Sequence, residues 1–370
     1  MNLLVKFIQQ KIQRLRLGKL PMPPESPEVN ITRILRNPSN ILIVPYNRLG
    51  AILLATRTFK AIRERYPYAK IMAAVHAAWS VLIQNDSSID EVLTYGDEIQ
   101  NPFSPEFRAA GEMLASRKFD LAFFLSYQYD LGPAYLTCLS KAALRVSFNT
   151  GNSHDFFNVH IIPSPDVRYE GERYLDLLEI LGIPRILRDY TMTISDSIRD
   201  KVHMKFLSGE SDTRSAAYIG FDLTKEIVGE PITRKQAENT IGALISDLDV
   251  TIILFFEPEK REIAAAVKES FGKKVIPVED RPVSTAAGLM SFCSFVIARN
   301  TDLFQLAIAL KIPAVAILSK NDMIQWSPGE NDLLVHLERS NLSWPSTAII
   351  SQTARNMLKT HKQAEAKNSL

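Results

Sequence analysis

Two turns that follow apolar runs carry residue types able to hold or activate a ligand. Arg299-Asn300-Thr301 follows Ser294-Phe295-Val296-Ile297-Ala298 and opens a helix expected over 302–311. There a guanidinium can offset an anion's charge, while the amide or hydroxyl can cap the helix or meet a ribose. Asp302 in the first turn suits the helix dipole and would repel a phosphate. Tyr127-Gln128-Tyr129-Asp130 with Leu131-Gly132-Pro133 follows the apolar run 119–125. Its aromatic rings either stack on sugar faces or pack the interior.

Other chemistries find little support. The six histidines form no H-x-x-x-H pair, and Cys138 and Cys293 are far apart, so no metal site is expected. Ser153-His154-Asp155 is contiguous, which is not how a nucleophilic triad assembles, and no G-x-S-x-G elbow occurs. No G-x-G-x-x-G follows an opening strand, which argues against a dehydrogenase. A net charge of +2 argues against nucleic acid as a partner. No cofactor is expected. Two lone cysteines fit a reducing, cytoplasmic setting.

The elements that must position these turns alternate between strand and helix. Ile41-Leu42-Ile43-Val44 reads as a strand buried on both faces. Then come the turn Tyr46–Gly50, a helix over 51–66, a strand over 70–75, a helix over 77–84 and a strand over 89–95. A helix over 105–118, strands over 119–125 and 144–148, and a helix over 169–181 stopped by Gly182-Ile183-Pro184 complete the first half. The second half alternates again, with strands at 215–220, 250–256, 275–278, 294–298 and 314–318. Helices are expected at 234–248, 259–271, 284–290 and 302–311. Parallel sheets joined by right-handed crossovers follow from this order, and their ligands sit beyond the C-terminal strand ends. The expectation is an α/β chain of two Rossmann-like domains facing each other across a cleft.

At 370 residues the chain exceeds one ordinary core. Residues 40–190 and 191–345 are expected as the two domains, with a helix and tail over 346–370. Residues 1–20 carry Leu3, Leu4, Phe7, Ile8, Ile12 and Leu15 with Lys6, Lys11, Arg14, Arg16 and Lys19, and no acid. That pattern suits a helix lying on an anionic membrane surface, or one packed on the protein itself or on a partner. The proline-rich stretch over 21–39 would tether it. No run approaches the ~20 apolar residues of a spanning helix.

Several segments, in order, resemble the ADP-heptose:lipopolysaccharide heptosyltransferases, glycosyltransferase family 9. They are Ile41–Ala51, Thr58–Ile71, Asn85 with Ile89-Asp90-Glu91-Val92, Arg117–Leu121, Arg173-Tyr174-Leu175 through Pro184, and Trp326-Ser327-Pro328-Gly329. The resemblance implies a GT-B architecture, with an acceptor-binding first domain and a second domain holding a nucleotide sugar, ADP-linked in this family. It implies inverting, metal-independent transfer to a lipid-linked saccharide of the cell envelope, by a cytoplasmic protein peripheral to the inner membrane. It places Arg48, Gly50 and Asp130 on the acceptor side, and Lys225, Glu257, Arg299, Asn300 and Thr301 on the donor side.

The chain departs from the family at the chemistry itself. Where the family's S-L-G-D supplies a base, Arg48-Leu49-Gly50-Ala51 ends in an alanine that accepts no proton, which leaves Asp130 or Asp155 to reach in. Where the family has D-T-G-P-x-H, this chain has Asn300-Thr301-Asp302-Leu303-Phe304-Gln305. Lys225 lacks the tryptophan-proline that accompanies the family's phosphate-binding lysine, and reads equally as a solvated loop residue. Glu257 either meets donor hydroxyls or lies in a surface turn. The alternative to an enzyme is therefore a non-catalytic scaffold or sugar-binding module of the same fold.

Overall fold

The computed structural model describes residues 31–97, 101–127, 130–149, 156–164, 169–185, 192–208, 217–224, 231–279, 282–329, 333–339 and 344–368. The basic stretch 1–20, the tether up to residue 30, Lys225 and Asp155 lie outside them. Two compact units divide the chain, one Met1–Pro165 with Glu172–Arg188, the other Asp166–Gly171 with Asp189–Leu370.

The first unit holds strands β1 (Asn40–Pro45), β2 (Lys70–His76), β3 (Glu91–Tyr95), β4 (Leu121–Leu125), β5 (Leu144–Phe148) and β6 (Val159–Ile161). All pairings are parallel, in the order β3-β2-β1-β4-β5-β6. The second holds β7 (Tyr218–Asp222), β8 (Thr251–Phe256), β9 (Val275–Glu279), β10 (Cys293–Ala298), β11 (Ala314–Leu318) and β12 (Leu334–Glu338), ordered β12-β11-β10-β7-β8-β9. Each sheet thus runs outward from its first strand in one direction and then in the other. The order reverses between β1 and β4, and between β7 and β10, and crossovers leaving on opposite faces open a crevice at each reversal.

Burial explains the strands. Every residue of β4, β8 and β11 is buried, as sheets covered by helices on both faces require. Helix ends are set by local chemistry. Ser104 caps Phe107 N–H ahead of Pro105, and Thr233 with Gln236 forms a reciprocal capping box for the helix Arg234–Leu248.

The structure corrects three expected elements. Residues 77–84 are not an α-helix; Ala77–Leu82 is a 3₁₀ turn that buries Leu82 alone, too short to offer the sheet an apolar stripe. The helix expected over 169–181 breaks into Glu170–Asp176 and a 3₁₀ turn, Glu179–Leu181, which ends at Gly182 with φ 65°. Leu177, outside the expected stripe, is fully buried beside Leu178, and an unbroken helix would not serve both. The strand expected over 215–220 continues to Asp222 because Phe221 belongs to the core, which brings a carboxylate to the strand's end. Sequence periodicity also missed the edge strands β6 and β12 and the buried helix Leu131–Leu139, whose first turn consumes Leu131, Gly132 and Pro133 as interior packing.

Candidate active site

At the reversal of the second sheet the ends of β7 and β10 are tied together. The buried Asp222 carboxylate accepts from Thr224 N–H at 2.8 Å, from the Thr224 hydroxyl at 2.6 Å and from the Thr301 hydroxyl at 2.5 Å. Burial pushes the Asp222 carboxyl up, opposed by the Arg299 charge and these hydrogen bonds. Arg299, 1% exposed, donates from Nη2 to Thr224 O at 2.5 Å. Thr301 also caps the helix Asp302–Ala309 by accepting from Phe304 N–H at 3.3 Å.

Asn300 is equally buried and donates from Nδ2 to Asp322 Oδ1 at 2.6 Å, while the other Asp322 oxygen accepts from Ser319 Oγ at 2.5 Å. Its own Oδ1 has no hydrogen-bond partner among the described residues. Gln305, where the resemblance expects histidine, donates to Trp326 O at 2.8 Å and so holds the Trp326–Gly329 turn.

Glu257 lies at the end of β8, as the residue before a short 3₁₀ turn that includes Lys260. Lys260 donates to Ile232 O at 3.4 Å, and its ammonium is pulled down by burial and by the Arg299 charge, with Glu257 acting against both. Lys260 and Arg299 are therefore neighbouring cations, and Asp302 stands in the first turn of the helix Asp302–Ala309. Of the donor-side residues read from sequence, Glu257, Arg299, Asn300 and Thr301 converge on this reversal. Asp222, Thr224, Lys260 and Asp322 complete it and were not anticipated. An acid closing an apolar strand, as in Ile219-Gly220-Phe221-Asp222, was the signal available for one of them.

The first sheet's reversal has a different lining. Tyr46 continues the β1 to β4 pairing through its N–H to Leu125 O at 3.0 Å. Arg48 stands before the helix Leu49–Arg65, so Gly50 and Ala51 are not in a loop but buried in its first turn. Asn47 Oδ1 accepts from Trp79 Nε1 at 3.0 Å, fixing the turn. Asp130 occupies the capping position of the helix Leu131–Leu139 yet makes no side-chain cap. Burial raises the Tyr46 and Tyr95 phenols, the Asp130 charge raises both further, and Arg48 partly offsets this at Tyr46. Tyr127 stacks on Phe148 at 3.9 Å, and the Arg173 guanidinium lies over the Tyr127 ring at 5.5 Å. Among the described residues no group of three or more His, Cys, Asp or Glu could hold a metal ion, and no helix is long and apolar enough to cross a membrane.

No protein-family model matches this chain, and no curated protein matches its sequence. Solved structures do. A glycosyl transferase family 9 protein from Veillonella parvula matches at a TM-score of 0.74 and 17% identity, covering 90% of this chain and 99% of its own. The ADP-heptose LPS heptosyltransferase II of E. coli matches at 0.72 and 15%, covering 87% and 99%. The E. coli heptosyltransferase WaaC with ADP matches at 0.65 and 17%, covering 86% and 99%. The fold is that of the heptosyltransferases.

On that fold the two departures take structural form. Ala51, 8% exposed, packs inside a helix and supplies no proton acceptor. Gln305 has become a brace, and the backbone opening of Asp302–Ala309 is capped by Thr301 rather than left to a glycine.

Proposed function

We propose that this protein is an inverting glycosyltransferase of the heptosyltransferase type, moving a sugar from a nucleotide-sugar donor to a lipid-linked saccharide of the cell envelope. One observation carries the reading: on this fold, the second sheet's reversal gathers two neighbouring cations, Arg299 and Lys260, at a capped helix N-terminus with a buried amide. Such a set suits a diphosphate, whose charge grows as it leaves. Asp222 accepts hydrogen bonds from Thr224 and Thr301, and the Arg299 charge works against its own, which lessens the repulsion a phosphate would meet. The unfilled Asn300 acceptor suits a ribose hydroxyl or a base amine.

An ADP-linked donor is favoured because the WaaC structures of this fold hold ADP and ADP-2-deoxy-2-fluoro heptose. Lys225 is proposed to join the donor side, with Arg48, Gly50 and Asp130 on the acceptor side. The protein is proposed to work in the cytoplasm, with residues 1–20 resting on the membrane that carries the acceptor.

Calorimetric titration of the full chain with ADP, UDP, GDP and ADP-heptose tests this. Selective binding of one nucleotide is expected. Silence with all four, from a folded sample, would replace the enzyme by a non-catalytic module. Co-sedimentation with anionic vesicles, compared with a chain starting near Pro27, tests the membrane role.

A further inference from the structure

Four helices, Leu49–Arg65, Ile31–Arg36, Pro105–Ser116 and Leu131–Leu139, lead into the neighbouring strands β2, β1, β4 and β5. At or just past its last turn each carries an exposed cation, Arg65, Arg36, Lys118 and Lys141 in that order. We propose that this end of the first unit, where the strands begin, docks on an anionic lipid surface, with Tyr68 entering the headgroup layer. The contact adds to the one proposed for residues 1–20 and rests on that membrane role.

The four lead-in segments are stitched side by side. Lys70 N–H donates to Ser39 O at 2.8 Å, Asp120 N–H to Asn40 O at 3.0 Å and Leu144 N–H to Asp120 O at 3.0 Å. Strands about 4.8 Å apart therefore set the four backbones in a row roughly 15 Å wide. The helix Ile31–Arg36 is fastened to the same end by the Tyr66 hydroxyl, which donates to Leu35 O at 2.7 Å.

The acids at this end are already committed. Asp90 pairs with Arg63, Glu91 pairs with Lys70 and Arg117, and the Asp120 carboxylate accepts from Ser39 and Asn40 N–H at 2.7 and 3.0 Å. Arg36, Lys118 and Lys141 have no ion-pair partner among the described residues, and Arg65 lies over the Tyr66 ring at 5.0 Å. Glu64, exposed beside Arg65, takes back one charge. A helix C-terminus carries roughly half a negative charge, which favours a cation there and still leaves the end positive once a whole one is present.

Two features point to lipid rather than to another anion. Tyr68 is 97% exposed in the turn ahead of β2, and the half-exposed Ile31 opens the first helix. A ring with a polar tip suits the boundary between headgroups and acyl chains. The chain also enters the unit at this end, so residues 1–20, with Lys6, Lys11, Arg14, Arg16 and Lys19 and no acid, are joined to the same side through residues 21–30. Ligands of the sheet sit beyond the opposite strand ends, so lipid here leaves the crevice clear.

Co-sedimentation of the full chain with phosphatidylcholine vesicles, with and without phosphatidylglycerol, tests the surface. The parent is expected to bind only the anionic vesicles and to be released as salt rises. Lys118→Gln with Lys141→Gln should lower partitioning by on the order of 10–30-fold, about fivefold for each charge. Tyr68→Ser should lower it too. Arg108→Gln with Lys235→Gln removes the same charge elsewhere and should match the parent, and Tm should hold in every variant. A folded Lys118/Lys141 variant that partitions within about twofold of the parent overturns the surface, as does a control pair that weakens equally. If Lys11→Gln with Arg14→Gln still weakens binding in that case, the role of residues 1–20 stands. A parent indifferent to phosphatidylglycerol overturns both. Loss of poly-glutamate binding in the Lys118/Lys141 variant, with vesicle binding kept, would assign the face to an acidic protein segment instead.

Discussion

The Thr301 hydroxyl donates to the buried Asp222 carboxylate across 79 residues of sequence, closing the ends of β10 and β7 onto each other. The same oxygen accepts from Phe304 N–H and so starts the helix Asp302–Ala309. One side chain thereby fixes both the strand ends and the helix N-terminus that line the proposed diphosphate site.

Thr301→Val keeps the shape and removes both bonds. It is expected to destabilise the second unit by about 2–4 kcal/mol, since a cap and a hydrogen bond to a buried carboxylate go together. Thr301→Ser should lose less than about 1 kcal/mol, because the hydroxyl remains. Urea denaturation of the two variants, followed by ADP titration of each, checks both the stability and the site.

Lys260 has an ammonium pulled down by burial and by Arg299, so more of it is the neutral amine than in an ordinary lysine at any given pH. Trace acetylation at neutral pH with peptide mapping should label Lys260 ahead of exposed lysines such as Lys235. Bound ADP should protect it. Labelling indifferent to every nucleotide would remove Lys260 from the donor side.

Gly220 lies on β7 opposite Val296 of β10, where an added Cβ would come within 3.0 Å of the Val296 side chain and 3.4 Å of Phe255. Gly220→Val should therefore cost about 1–3 kcal/mol by overpacking the reversal, and loosen nucleotide binding with it. Val296→Ala in the same chain should recover part of the loss, which thermal denaturation of the three variants would read.

Asp90 gives the first unit part of its acid sensitivity, alongside Glu91, which is also held below the usual range. Burial pushes its carboxyl up, but hydrogen bonds from Ile71 N–H and Arg63, with the charges of Arg63 and Lys70, more than offset this and hold it below the usual range. A carboxylate depressed in the folded state adds stability above its unfolded pKa of about 3.9 and loses it as pH falls through the lower folded value. The parent should thus weaken below about pH 4, and Asp90→Asn should weaken less over that window, as denaturant midpoints between pH 3 and pH 7 would show.

Much of this fold was legible because parallel strands buried on both faces must be apolar throughout. Runs such as 314–318 and 250–256 appear as β11 and β8 nearly to the residue, and the helix at 234–248 begins at its capping box and ends at Asp249 in the left-handed region. The short edge strands β6 and β12 were not legible, since only partial burial shapes them and no periodicity accumulates over three to five residues.

The candidate site divides in the same way. Arg299, Asn300 and Thr301 could be read from sequence because one turn holds them in succession between a strand and a helix. Lys260 and Asp322 could not, and Asp222 showed only as an acid closing an apolar run, because each joins that turn only through the folding of the parallel sheet, which sets the ends of β7, β8, β10 and β11 together. Sequence alone determined the apolar runs, and hence two sheets. Tertiary structure decided which strands became neighbours, and therefore which distant polar side chains share a crevice, because strand order is set by crossover packing rather than by any local pattern.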